Sequence, residues 1–177
     1  APIVQFDSWG LTCLLLAETD QGNVFFKTAP DLPIFAPEPI VMQGLATRFP
    51  NQIPKPIAIE SEQRWMLLAD FGEPFYWRST SPTVDMEASI MKAFSKLQVE
   101  AASQVTDLLE IGCLDRRLVH LMDHAEALLA DEAVMSHFET DEVKRFQASL
   151  PHVNERCDQL RRYQVPETLI HGDLQLG

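Results

Sequence analysis

Short runs of apolar, β-branched and aromatic residues fill the first seventy positions, broken by turn-forming residues. Residues 3–6 and 12–17 read as strands joined by Asp7-Ser8-Trp9-Gly10-Leu11. Asp20-Gln21-Gly22-Asn23 is a turn signal, and Val24-Phe25-Phe26-Lys27 after it is a further strand. A helix is expected from Glu38 to Ala46, because Pro37 and Pro39 suit a first turn whose N–H groups lack partners anyway. Within it, Ile40 or Val41 and then Gly44 and Leu45 present one face to the sheet. Phe49 to Pro56 is a proline-bearing connection, after which residues 56–59 pair with 64–68 across a turn at Glu60 to Gln63.

Beyond residues 73–83, a loop rich in Ser, Thr and Pro, the apolar period lengthens from two to between three and four. Met86, Ile90, Met91, Phe94 and Leu97 share the face of one helix. Leu114, Leu118, Leu121, Met122, Ala125, Leu128 and Leu129 mark a second. Val143, Phe146, Leu150, Val153, Cys157 and Leu160 mark a third, which Pro151 should kink or split. These stripes read as core faces. The pattern predicts an α+β chain with an N-terminal antiparallel sheet and one helix over residues 1–72, then a mainly helical part over 73–177.

Composition narrows the partners. The 177 residues carry 26 acidic and 14 basic side chains, a net charge of −12, which argues against a nucleic-acid binder because that needs a basic face. An acidic surface also repels a nucleotide at long range, so any nucleotide site must be locally basic or rely on Mg²⁺. Cys13, Cys113 and Cys157 are widely spaced and odd in number, which suits reduced thiols in a cytoplasm better than zinc or a disulfide framework. The apolar run Leu11–Ala17 is too short to cross a bilayer, and no signal peptide opens the chain.

Candidate chemistry concentrates at the end of the chain. Thr168-Leu169-Ile170 is a strand-like approach to a turn carrying His171, Gly172 and Asp173. An aspartate held on such a turn is suited to orient a substrate hydroxyl and accept its proton during phosphoryl transfer. Lys27 ends an apolar strand, from which it can reach phosphates if Glu38 holds it; the bland alternatives are a snorkelling lysine and a first-turn acid facing the helix dipole. Thr12 can offer its hydroxyl to a phosphate or serve as an ordinary strand threonine. Asp70-Phe71-Gly72 matches the protein-kinase metal-binding triplet in letters, but it precedes His171-Gly172-Asp173 where the kinase order requires it to follow. It reads better as the strand leading out of the first part of the chain. His120 and His124 share a helix face at a zinc-chelating spacing, yet the glutamate of a metalloprotease helix is replaced by Leu121.

In their order these anchors resemble the aminoglycoside phosphotransferase family, within the protein-kinase-like two-lobe fold: Trp9-Gly10-Leu11-Thr12, Val24-Phe25-Phe26-Lys27, Glu38, Trp65 to Gly72, and Leu169-Ile170-His171-Gly172-Asp173-Leu174. The resemblance implies an ATP-dependent, Mg²⁺-assisted transfer of the γ-phosphate to a small-molecule hydroxyl. It implies Asp173 as the catalytic aspartate and His171 as a brace of the loop. Lys27 would contact the α- and β-phosphates, held by Glu38, and Thr12 would sit over the phosphates. Leu68 and Asp70 would present backbone groups to adenine, with Leu67 lining the pocket behind it.

The resemblance also sets expectations about what is missing. The family's asparagine just after Gly177 and its later metal-binding aspartate are absent, so the chain is expected to be a piece of a longer protein and inactive alone. A non-catalytic nucleotide-binding or interaction module of the same fold is the competing reading. A helical metallohydrolase built on His120 and His124 is a third, and it predicts stoichiometric zinc.

Overall fold

The computed structural model describes residues 2–9, 11–72, 84–172 and 174, with the side chains of residues 6–9 left undescribed. The Ser/Thr/Pro-rich loop at 73–83 therefore lies outside the described residues, and so does Asp173. The chain divides into two compact units, Ala1–Leu114 with Thr168–Gly177, and Asp115–Glu167.

The first unit holds a five-stranded antiparallel sheet among the described residues: β1 (Ile3–Trp9), β2 (Thr12–Thr19), β3 (Gly22–Thr28), β4 (Ala58–Glu60) and β5 (Trp65–Ala69). The spatial order is β1-β2-β3-β5-β4, so the later hairpin joins the meander through β5. Gly22, at φ +112°, closes the β2–β3 hairpin in a conformation that a side chain disfavours. Alternation then sorts side chains by face. Leu14, Lys27, Met66 and Ile59 lie side by side across four strands, and Leu16, Phe25 and Leu68 form the next row on that face. Leu15, Phe26 and Leu67 point the opposite way, where Phe26 meets Trp65 edge to face at 5.6 Å.

Helix α1 (Glu38–Arg48) packs against β4, with Pro37 at its N-cap and Pro39 buried in its first turn. The helix α2 (Val84–Ala101) and the short helix α3 (Val105–Glu110) follow. Leu45, Phe49, Leu97, Ala101 and Leu108 form a buried cluster joining these three helices, flanked by Val41, Ile53, Phe94, Ile111 and Leu169. Gly44 lets α1 approach closely, since a Cβ there would stand 2.9 Å from that of Ile111.

The second unit comprises α4 (Leu118–Ala130), α5 (Glu132–Met135) and α6 (Thr140–Arg161), with α4 packed on both of the others. Asp131 caps α5 by accepting from the N–H groups of Ala133 and Val134 at 2.9 and 3.2 Å. Glu139 and Glu142 form a reciprocal capping box on α6. Phe138 packs edge to face on Phe146 with ring centres 5.3 Å apart, and Arg161 donates to the Leu118 carbonyl at 3.0 Å.

Three elements differ from the sequence pattern. The second helical stripe was expected from Leu114, but the helix begins at Leu118: the Asp115 carboxylate accepts from the Arg117 N–H at 3.1 Å, a local turn that holds Arg117 extended. Of the kink or split expected at Pro151, the split does not occur, and α6 runs through the proline. Gln147, whose carbonyl loses its helical partner there, is exposed and open to water. Among the described residues Thr168-Leu169-Ile170 joins no ladder and is instead held by the side-chain amide and the backbone carbonyl of Gln98 on α2. Among the described residues, no helix is long and apolar enough to cross a membrane.

Candidate functional site

The face of the sheet that carries Lys27 is the face that α1 covers in part. Met66 and Leu68 on this face are buried, while Leu14, Leu16 and Phe25 remain half-buried. A floor of apolar side chains is thus left partly open beside a charged edge. At that edge the Lys27 ammonium is ion-paired with the Glu38 carboxylate, both groups about a third exposed or less. Position explains the pairing. Lys27 leaves the sheet near the end of β3, and the turn at Asp31–Pro37 returns the chain so that Glu38 opens α1 beside it. The prolines on either side of Glu38 fix the first turn without breaking the helix, because N–H groups there have no intrahelical acceptor.

Thr12 lies on the same face, one row beyond Leu14 on β2. Its hydroxyl donates to the Thr28 carbonyl at 2.7 Å, and the Thr28 hydroxyl accepts from the Cys13 N–H at 3.2 Å. In this state Thr12 fastens β2 to the end of β3. An approaching anion would have to compete with that carbonyl.

At the other end of the sheet, Asp70 follows β5 and its carboxylate is occupied twice. It accepts from the Asn23 amide at 3.1 Å and from the Gly72 N–H at 2.7 Å. Gly72 has φ +89°, so the chain turns out of the sheet there. Among the candidates for the adenine pocket, Leu68 shares the face of Lys27. Leu67, expected to line the same pocket, has its side chain on the opposite face, because strand neighbours alternate. Leu14, Leu16 and Phe25 are what the sequence reading passed over. Period-two parity with Lys27 marks Phe25, and the β2–β3 hairpin register brings Leu14 and Leu16 onto the same face.

The turn at His171 is reached through α2. Leu169 packs against the buried cluster, and Gln98 donates its side-chain N–H to the Leu169 carbonyl at 3.0 Å. The Thr168 hydroxyl donates to the Gln98 carbonyl, and His171 meets Phe94 edge to face at 6.2 Å. Gly172, at φ +83°, then turns the chain toward Asp173, whose own placement lies outside the described residues. Gln98 was not visible as a site residue in sequence. Its one signal is the i, i+4 spacing from Phe94 on a helix face otherwise given to the core.

In the second unit, Asp115 lies in the fork of Arg117, with contacts of 2.6 to 3.0 Å, and His120 Nε2 approaches the same carboxylate at 3.3 Å. The hydrogen bonds from Arg117 hold the Asp115 carboxyl well below the usual carboxylate range, and the carboxylate raises Arg117 in turn. The His120 and His124 rings lie 6.4 Å apart, and among the described residues no three His, Cys, Asp or Glu side chains are gathered as for a metal. The three cysteines are free thiols; burial raises the pKa of Cys113, opposed by nearby Arg48.

Compared with known proteins, the chain matches no family profile and no curated sequence.

Proposed function

We propose that this chain carries the nucleotide-binding elements and the catalytic turn of an ATP-dependent phosphotransferase, similar in kind to the aminoglycoside phosphotransferases and acting on a small-molecule hydroxyl in the cytoplasm. The observation that supports it is the Lys27–Glu38 ion pair at the edge of a partly open apolar sheet face. A lysine alone on a strand end is commonplace. One held by a helix carboxylate beside such a floor is arranged to meet a base and a polyphosphate together.

ATP bound with Mg²⁺ would supply the phosphoryl group and part of the charge that stabilises its transfer. Lys27 would neutralise phosphate oxygens, and Glu38 would hold the ammonium in place when no nucleotide is present. Leu14, Leu16, Phe25 and Leu68 would take the flat face of the base, and the backbone leaving β5 would pair with its edge. Asp173 would orient the acceptor hydroxyl and take its proton, on a turn braced by His171.

The test is transfer from γ-labelled ATP to a panel of hydroxyl compounds by the full-length protein that contains this chain, compared with its Asp173→Asn variant. The reading expects turnover to be abolished in the variant with nucleotide affinity retained. Full activity in Asp173→Asn would sink the assignment, and nucleotide binding without transfer to any acceptor would favour a non-catalytic module.

A further inference from the structure

We infer that Gln98 is a positioning residue for the catalytic turn, an inference that rests on the proposed phosphotransferase reading for its functional meaning but not for its structural test. Among the described residues the segment Thr168–Ile170 joins no ladder, and its half-buried part, Thr168 and Leu169, is held instead by hydrogen bonds to Gln98. Gln98 meets it twice. Its side-chain N–H donates to the Leu169 carbonyl at 3.0 Å, and its own carbonyl accepts the Thr168 hydroxyl.

Gln98 begins the last turn of α2; its carbonyl accepts the Ala102 N–H at 3.0 Å and has a second lone pair for the Thr168 hydroxyl. Phe94, one turn earlier, meets the His171 ring, while Leu97 and Ala101 between and beyond them are buried. Leu169 is thereby pinned from both sides, by the apolar cluster and by the amide. The contacts act on the two residues that lead into Ile170 and His171, and so set the path of the chain into the turn. A helix residue about seventy positions earlier thus becomes part of the support of the proposed catalytic loop.

Gln98 differs from a core residue in what its loss should do. Replacement by Met keeps length and apolar contact but removes the donor; Gln98→Glu removes it only while ionised and restores an O–H donor when protonated. Thr168→Val removes the second link independently.

The test is amide exchange along the chain, paired with Mg²⁺·ATP titration. In Gln98→Met, exchange at Leu169–Gly172 should quicken about five- to tenfold, the loss of one hydrogen bond, while β3, α1 and nucleotide affinity stay unchanged. Gln98→Glu should behave like Gln98→Met at pH 7 and return toward the parent, after correction for intrinsic rates, as pH falls through the carboxyl range. Thr168→Val should loosen the same segment. Unchanged exchange at 169–172, or an equal rise across the cluster of α1 and α3, would overturn the inference. Failure of the unaltered protein to bind nucleotide would remove the phosphotransferase reading and leave the tether to be decided by exchange alone.

Discussion

Lys27 on β3 and Glu38 in the first turn of α1 are ion-paired across eleven positions of sequence. The pair joins the sheet to its helix at the edge of a partly open apolar face. Both side chains remain about 30% exposed, so solvent screening limits what the pair adds to folding to roughly 1 kcal/mol or less. Its consequence should be in binding. Glu38→Gln is expected to leave the melting temperature within a few degrees of the parent while weakening Mg²⁺·ATP about three- to tenfold, through loss of the orienting charge. Calorimetric titration and a thermal scan on the same preparation separate the two effects.

Gly44 reports on the packing of α1 against the segment after α3. An added Cβ would stand 2.9 Å from Cβ and 3.0 Å from Cδ1 of Ile111. Alanine there would gain up to about 1 kcal/mol of helix propensity but force Ile111 and its backbone aside. Gly44→Val, with more bulk and less propensity, should destabilise by about 1–3 kcal/mol in denaturant unfolding. An unchanged midpoint would mean that the helix stands farther from Ile111.

Asp115 supplies a pH dependence whose sign follows from Arg117. The guanidinium depresses the folded-state pKa of Asp115, so its stabilisation is present above the unfolded value of about 4 and is lost as pH falls through the lower folded value. Arg117→Ala should return the carboxyl toward the ordinary range, remove that stabilisation at neutral pH from the Asp115–Glu167 unit, and so flatten its loss of stability in acid. Carboxyl NMR titration checks it: a midpoint for Asp115 that does not rise in the variant contradicts the assignment.

Pro151 interrupts the hydrogen bonding of α6 without ending the helix. Pro151→Ala would restore one N–H donor and relieve the ring's crowding of the preceding turn, raising the stability of residues 140–161 by about 1–3 kcal/mol. Slower amide exchange on both sides of position 151 is the expected sign, and unchanged exchange would show that the helix already tolerates the ring.

The strands from Ile3 to Thr28, the helix opening at Glu38 and the hairpin around Gln63 were legible because period and turn residues agree locally there. Less legible were features set by distant partners. Nothing near Thr168 signals that Gln98 will take the place of a strand neighbour. The start of α4 is moved by an Asp115 side chain competing for backbone N–H groups, which apolar spacing cannot register. The separation of Leu67 from Lys27 was available from alternation once β3 and β5 are known to pair, but that pairing joins residues about forty apart. In the candidate site, Lys27 and Glu38 could be named from order and type. Their meeting depends on the turn at 31–37 and the rigid first turn of α1.

The central claim is that the Lys27 face of the sheet binds a nucleoside polyphosphate. Isothermal titration of Mg²⁺·ATP into the protein and into Lys27→Met tests it most directly. The account predicts saturable one-site binding that weakens about tenfold or more in the variant, the loss of a charged hydrogen bond to phosphate. Absence of binding to the unaltered protein, or equal affinity in the two, would contradict it.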